Sequence, residues 1–267
     1  MNVGVIIGII AIGIATGLVT GLTGASGVMI VVPMVSMFLH LSIYEAIGTS
    51  LMVNVICSLA ITYIYYKNGN VDFKSGIWIA IGSIIGSQFG TIFAKGIPEL
   101  GLGISFGIFM TIMGIIIWIR GLNVTGGKTS KALITFKNST EKRIVSVLLG
   151  FFVGIMTGIF GAGGGGMILL ILIFVLNFPI HIAIGTSSFL MTITTFSGTI
   201  GYALQRSIQP VIGIILGIFA SISGMISAKF ANKVNEQILS KTIGLVFIII
   251  GIIMSVFGSP RGKPILS

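Results

Sequence analysis

Charge is what this sequence has least of. Of its 267 residues, 7% are Asp, Glu, Lys or Arg, where a soluble domain carries about a quarter. Acidic residues are scarcest: Asp and Glu together number 5, and Asp72 is the lone aspartate, which excludes an aspartyl protease. Cysteine occurs once, at Cys57. That rules out an internal disulfide and a cysteine metal cluster, and the residue reads as a small packing group inside an apolar segment. The start, Met1-Asn2-Val3-Gly4, lacks the basic region of a secretory signal and reads as mature structure. No cofactor-binding motif is recognised.

What fills the chain is hydrocarbon. Hydrophobic residues make up 55% of it and mean hydropathy is +1.15, the composition of an all-α integral membrane protein. Apolar segments run over 3–22, 27–39, 46–66, 75–94, 101–119, 144–160, 166–178, 182–204, 210–230 and 240–257. Most approach the roughly 20 residues that a helix needs to cross about 30 Å of hydrocarbon. The segments at 27–39 and 166–178 would rise only about 20 Å.

Those two short segments correspond, because the chain is written twice at a constant offset of 137 positions (Gly17 to Gly154). Gly17-Leu18-Val19-Thr20-Gly21-Leu22-Thr23-Gly24-Ala25 falls on Gly154-Ile155-Met156-Thr157-Gly158-Ile159-Phe160-Gly161-Ala162, and Ala46-Ile47-Gly48-Thr49-Ser50 on Ala183-Ile184-Gly185-Thr186-Ser187. Tyr65 meets Tyr202, Gly76 meets Gly213, and Gly107 and Gly114 meet Gly244 and Gly251. The expected organisation is a membrane repeat over 1–120, a cytoplasmic connector over 121–143, a second repeat over 144–258 and a polar tail over 259–267. Each repeat holds about five apolar segments. Duplication of an apolar unit is how many secondary transporters are built, with substrate held where the copies face each other.

The net charge of +10 lies in short loops rather than along a helical face, so it reports orientation and not nucleic-acid binding. Arg120, Lys128, Lys131, Lys137, Lys142 and Arg143 put the connector in the cytoplasm. Inverted and parallel repeats leave the same number of basic residues inside, so charge does not choose between them. Inversion is the expected arrangement, since it brings two breaks towards the midplane from opposite faces.

Each repeat carries a glycine-dense break: Gly21, Gly24 and Gly27 in the first, and Gly158, Gly161, Gly163, Gly164, Gly165 and Gly166 in the second. Such density marks either close helix packing or backbone that leaves helical geometry. Free N–H groups at a helix start, with Thr23, Ser26 and Thr157 beside them, form an anion-binding surface. Gly48-Thr49-Ser50 and Gly185-Thr186-Ser187-Ser188 open the next long helices, where hydroxyls bond an oxyanion or cap their own helix. Asn54, Gln88, Thr192, Thr194 and Thr195 are further intramembrane polar groups, each also explained by an interhelical bond. Glu45 and His181, at nearly matching places, are the candidates for proton coupling.

The paired pattern, a glycine-rich turn (21–27 and 158–166) followed by Ile-Gly-Thr-Ser, resembles the TauE/SafE family of sulfite and sulfonate transporters over nearly the whole chain. The resemblance implies a multi-pass carrier of the cytoplasmic membrane that exports small sulfur-containing anions. It carries the binding role onto Thr23, Gly24, Ser26, Gly27, Thr49, Ser50, Gly161, Gly163, Gly164, Thr186 and Ser187. Expected partners are the anion, the bilayer, a coupling proton or sodium ion, and further copies of the chain in a homo-oligomer. The repeat is uneven at Ser26 and Val28, whose twins are Gly163 and Gly165. Two other classes stay open: an anion channel, and an intramembrane serine protease using Ser26 in Gly24-Ala25-Ser26-Gly27. The latter needs a base, and the histidines, His40 and His181, sit near segment ends.

Overall fold

The computed structural model describes residues 3–24, 26–39, 41–94, 96, 138–160 and 164–235, with scattered helical positions between 108 and 119 and between 238 and 252. The elements are α1 (Val3–Thr23), α2 (Val28–Leu39), α3 (Ile43–Lys67), α4 (Phe73–Ala94), α5 (Ser139–Phe160) and α6 (Gly165–Leu170). A π-helical turn (Ile171–Val175), α7 (Ile180–Leu204) and α8 (Pro210–Ala231) follow. No strand occurs among the described residues. Helices answer every backbone donor and acceptor from within the segment, which is what a hydrocarbon environment demands. Six of them, α1, α3, α4, α5, α7 and α8, are long and apolar enough to cross a membrane.

Local chemistry sets the ends. Ser42 and Glu45 form a reciprocal capping box that starts α3, and Pro210 occupies the first turn of α8. α5 begins at Ser139, so its first turn lies in the segment read as connector. The repeat seen in sequence recurs in the elements: α3 and α7 start and stop at matching positions, as do α4 and α8.

Burial is inverted relative to a soluble protein. The exposed side is hydrocarbon, with Ile7, Phe38, Leu59, Ile92, Leu148 and Phe230 among the large outward residues, while Thr16, Thr20, Ser58, Ser83, Ser87, Thr157 and Thr194 are buried. Lipid is as apolar as leucine, so helices associate through close packing and interhelical hydrogen bonds.

Glycine ladders provide that packing and exchange partners between the halves. α1 lies along α8 in the same direction, with Gly13, Gly17 and Gly21 against Leu216, Ala220 and Gly224. α4 lies along α5, also in the same direction: Gly82 and Gly86 meet Val147 and Phe151, while Gly150, Gly154 and Gly158 meet Ile79, Ser83 and Ser87. Thus the first helix of each half packs on the last described long helix of the other. At the centre α3 and α7 run in opposite directions, with Gly48 beside Tyr202, Leu51 beside Gly198, and Ser58 bonded to Thr192 at 2.8 Å. α3 runs parallel to α8 and α7 parallel to α4, as the contacts of Gly213 with Thr49 and Met52, Gly224 with Cys57 and Ile61, and Gly76 with Thr186 and Leu190 require.

A methyl group at Gly86 would land on the Phe151 carbonyl oxygen, whereas one at Gly8 would meet nothing within 4 Å. Gly86→Ala is expected to destabilise the detergent-solubilised protein by about 1–3 kcal/mol, and Gly8→Ala to leave it unchanged. Thermal unfolding of the two variants side by side checks this.

Candidate functional site

The two breaks meet inside the bundle. α1 ends at Thr23, after which Gly24 turns left-handed at φ 62° and its N–H donates to the Thr20 carbonyl at 2.9 Å, a helix C-cap. The chain then doubles back, so that Gly27 packs against Thr16 and Thr20. In the second half α5 ends at Phe160, and Gly164, left-handed at φ 63°, starts α6. A methyl on Gly165 would sit 2.8 Å from the Gly24 carbonyl oxygen and 3.2 Å from the Ser26 nitrogen. The two tracts are therefore in backbone contact. Gly161 and Gly163 lie outside the described residues.

Around this contact are four buried polar side chains, Asn54, Ser26, Ser187 and Thr23. Asn54 Nδ2 donates to Ser26 Oγ at 2.7 Å, and Asn54 Oδ1 is buried with no hydrogen-bond partner among the described residues. An unmet buried acceptor is costly, on the order of 1–3 kcal/mol, and invites a functional explanation. A half-turn of the amide exchanges its two ends, so the same side chain can take the Ser26 hydroxyl on its carbonyl and present an N–H inward. Ser187 Oγ lies 3.2 Å from the Gly24 carbonyl and 2.9 Å from that of Ile184. Thr23 is buried and donates to the Val19 carbonyl at 2.8 Å. The sequence marked Asn54 as one intramembrane polar group among several. Its pairing with Ser26 depends on how α3 crosses the first break, for which the sequence carries no signal.

A second polar cluster joins α4 to α7. Thr194 donates to Ser83 at 2.7 Å and Ser87 to Ser197 at 2.8 Å, and Gln88 Nε2 donates to the Ser197 carbonyl at 2.7 Å. The matching interface, α8 on α3, has Ala220, Gly224 and Cys57 in place of Ser83, Ser87 and Thr194. Its polar contact is Cys57 Sγ on the Ala220 carbonyl at 3.3 Å. The two halves are alike in path but unequal in polarity.

The Gly-Thr pairs of the second repeated motif have partners across the repeat boundary. Gly48 lies against the Ser207 carbonyl and Gly185 against that of Asn70, each too close for any Cβ. Next to them Thr49 Oγ1 accepts from the Gln209 N–H at 3.0 Å and Thr186 Oγ1 from the Asp72 N–H at 2.9 Å. Each pair thereby clamps the loop that leads into the last described long helix of the opposite half, a role that neither oxyanion binding nor self-capping anticipates. Ser50 donates to the Ile47 carbonyl at 2.7 Å. Tyr65 and Tyr202 add symmetric bonds to the Gly21 and Gly158 carbonyls at 3.1 and 3.0 Å.

The two ionisable candidates lie at helix ends and not at the breaks. Glu45 Oε1 accepts from Gln209 Nε2 at 2.9 Å while its other oxygen serves the capping box. His181 Nε2 is 3.2 and 3.1 Å from the carbonyls of Ala231 and Val234, at the C-terminus of α8. His40 lies outside the described residues. Among the described residues no group of His, Cys, Asp and Glu is placed to hold a metal ion.

Six membrane-length helices with apolar outer faces and an interior of glycines and hydroxyls define a multi-pass membrane protein. Comparison with known proteins gives the family: the profile described as Sulfite exporter TauE/SafE matches residues 9–254, and the chain belongs to that family of membrane transporters. It is 27% identical over 211 residues to "Probable membrane transporter protein YunE" of Bacillus subtilis (strain 168), covering 73% of this chain and 77% of the relative. Identity is 29% over 189 residues to "Probable membrane transporter protein YdhB" of the same organism, with 71% and 75% covered. It is 28% over 200 residues to "Probable membrane transporter protein MJ0441" of Methanocaldococcus jannaschii, with 73% and 71% covered. No solved structure matches.

Thr49→Val and Thr186→Val keep the shape of the side chain but leave the Gln209 or Asp72 N–H unanswered. Each is expected to lower stability by about 1–3 kcal/mol, with Thr→Ser retaining most of it. Unfolding midpoints of the four variants in detergent check the clamp.

Proposed function

We propose that this protein carries a small sulfur-containing oxyanion, such as sulfite or a short sulfonate, across the cell membrane, and exports it by alternating access. The observation that carries this reading is the contact of the two glycine breaks beside a buried, incompletely bonded amide, Asn54. Backbone N–H groups freed where helices break, together with hydroxyls and an amide N–H, can replace the water around an oxyanion without a cation. Such a neutral donor set holds a singly or doubly charged anion loosely enough to release it.

The anion sits, in this proposal, at Gly24, Ser26, Gly27, Gly164 and Ser187 with Asn54, and at the matching turn through Gly161 and Gly163. Thr49, Thr186 and Ser50 act at one remove by fixing the loops and helix ends around it. The opposed directions of α3 and α7, and of the two parallel pairs packed on them, support inverted repeats, and the basic residues of the connector support its place in the cytoplasm. Close packing at the breaks means that access to either side requires the helix pairs around them to rock about that contact. The rigid pairs α1–α8 and α4–α5, each drawn from both repeats, are the bodies that move.

The family membership and the names of the relatives support a transporter; the break geometry supports an anion. The test is efflux and uptake of sulfite, taurine and thiosulfate in proteoliposomes containing the parent and Asn54→Met, a substitution that copies the residue at the matching position, Met191. Expected is at least a tenfold loss of flux, which corresponds to about 1.4 kcal/mol or more at the site, with no loss of thermal stability. Equal flux in both proteins would remove the break from the mechanism. Flux that grows linearly with concentration, without counterflow, would replace the carrier by a channel.

A further inference from the structure

One half of the protein has a groove that the other half has filled. A cavity of about 460 Å³ is lined by Met52, Val55 and Ile56 of α3, Phe196, Thr199 and Ala203 of α7, the turn residues Arg206 and Ile208, and Pro210 of α8. Its α7 wall rises from Phe196 to Ala203, about 10 Å of helix, with Arg206 in the turn beyond. Thr199 and Arg206 aside, the walls are apolar. Phe196 beside it is 57% exposed and Val211 65% exposed, so the groove opens on the lipid-facing surface.

At the matching place in the other half, Tyr66, Phe73 and Phe189 stand where the groove has Ala203, Pro210 and Met52. These rings stack edge to face, with centroids 5.6 Å apart for Tyr66 and Phe73 and 4.8 Å for Phe73 and Phe189. Aromatic side chains plug that position. The turn differs in the same sense: Gly69, at φ 71°, has Arg206, at φ 56°, as its counterpart. Left-handed backbone suits glycine and strains arginine. A strained residue that persists where glycine fits points to a task for its side chain. Arg206 is exposed, in a turn between two membrane-length helices, and so lies at the membrane surface with its guanidinium at the head of an apolar trough.

We propose that this groove is a binding site for one anionic phospholipid, with the headgroup phosphate on Arg206 and an acyl chain along Met52, Val55, Ile56 and Phe196. The orientation is that of a lipid in its own leaflet, head at the surface and tail towards the midplane. Guanidinium recognises phosphate through paired donors, and the apolar walls accept hydrocarbon. The site touches α3, α7 and the start of α8, so an occupant braces the α3–α7 contact at the centre of the molecule. It faces away from Asn54 and the glycine breaks, and stands whether or not the transport proposal does.

The test is native mass spectrometry of the full chain, delipidated in neutral detergent and titrated with dioleoylphosphatidylglycerol or dioleoylphosphatidylcholine. Expected is retention of one phosphatidylglycerol per chain, preferred about fivefold over phosphatidylcholine, the ratio that one basic residue beside an anionic headgroup supplies. Arg206→Gly should abolish the preference without lowering the unfolding midpoint, since glycine relieves the turn. Ala203→Tyr together with Met52→Phe, which copy the plugged half, should lose both lipids. Equal retention of the two lipids by the parent, a preference that survives in Arg206→Gly, or lipid still held by the plugged variant would each overturn the assignment.

Discussion

Hydrocarbon offers no hydrogen bond, so a polar group in the bundle that no other part of the protein answers is costly. That single constraint explains why the interior is hydroxylated and the exterior aliphatic. It also explains why the irregular backbone at Gly24, Ser26 and Gly27 and at Gly164 is buried among other helices. The two breaks answer one another across the centre, and α3 and α7 answer the breaks through Asn54 and Ser187. The cross-repeat Gly-Thr clamps hold the surrounding loops in place.

The halves are woven together rather than set side by side. α1 rests on α8 and α4 on α5, so neither repeat possesses a complete packing partner of its own among the described helices. Small residues along both sides of each pair let backbones touch, and dispersion across that contact is the attraction available between helices in lipid. The α3–α7 seam between the two pairs is joined in part by hydroxyls, as in the hydrogen bond of Ser58 with Thr192.

Unequal polarity of the two halves is the other organising feature. Hydroxyls and an amide join α4 to α7 where alanine, glycine and cysteine join α8 to α3, and aromatic rings fill one lateral groove where an arginine heads the other. Duplication supplies the frame; divergence supplies the distinct surfaces within it.

The sequence by itself determined a great deal: the membrane class from composition, the duplication from a constant offset, the shortness of the second segment in each repeat, and the places where glycine concentrates. These are properties of local runs, and hydropathy and spacing read them directly. The family resemblance rested on the same runs. What only the tertiary structure decided is which groups meet. Asn54 finds Ser26, and Thr49 finds the Gln209 N–H 160 residues away. The repeated Gly-Thr-Ser motif thus turns out to grip loops of the opposite half, and an open groove in one half matches a position plugged by aromatic rings in the other. Such pairings arise from the crossing of helices in space, and a linear pattern of small residues is compatible with many crossings until packing selects one.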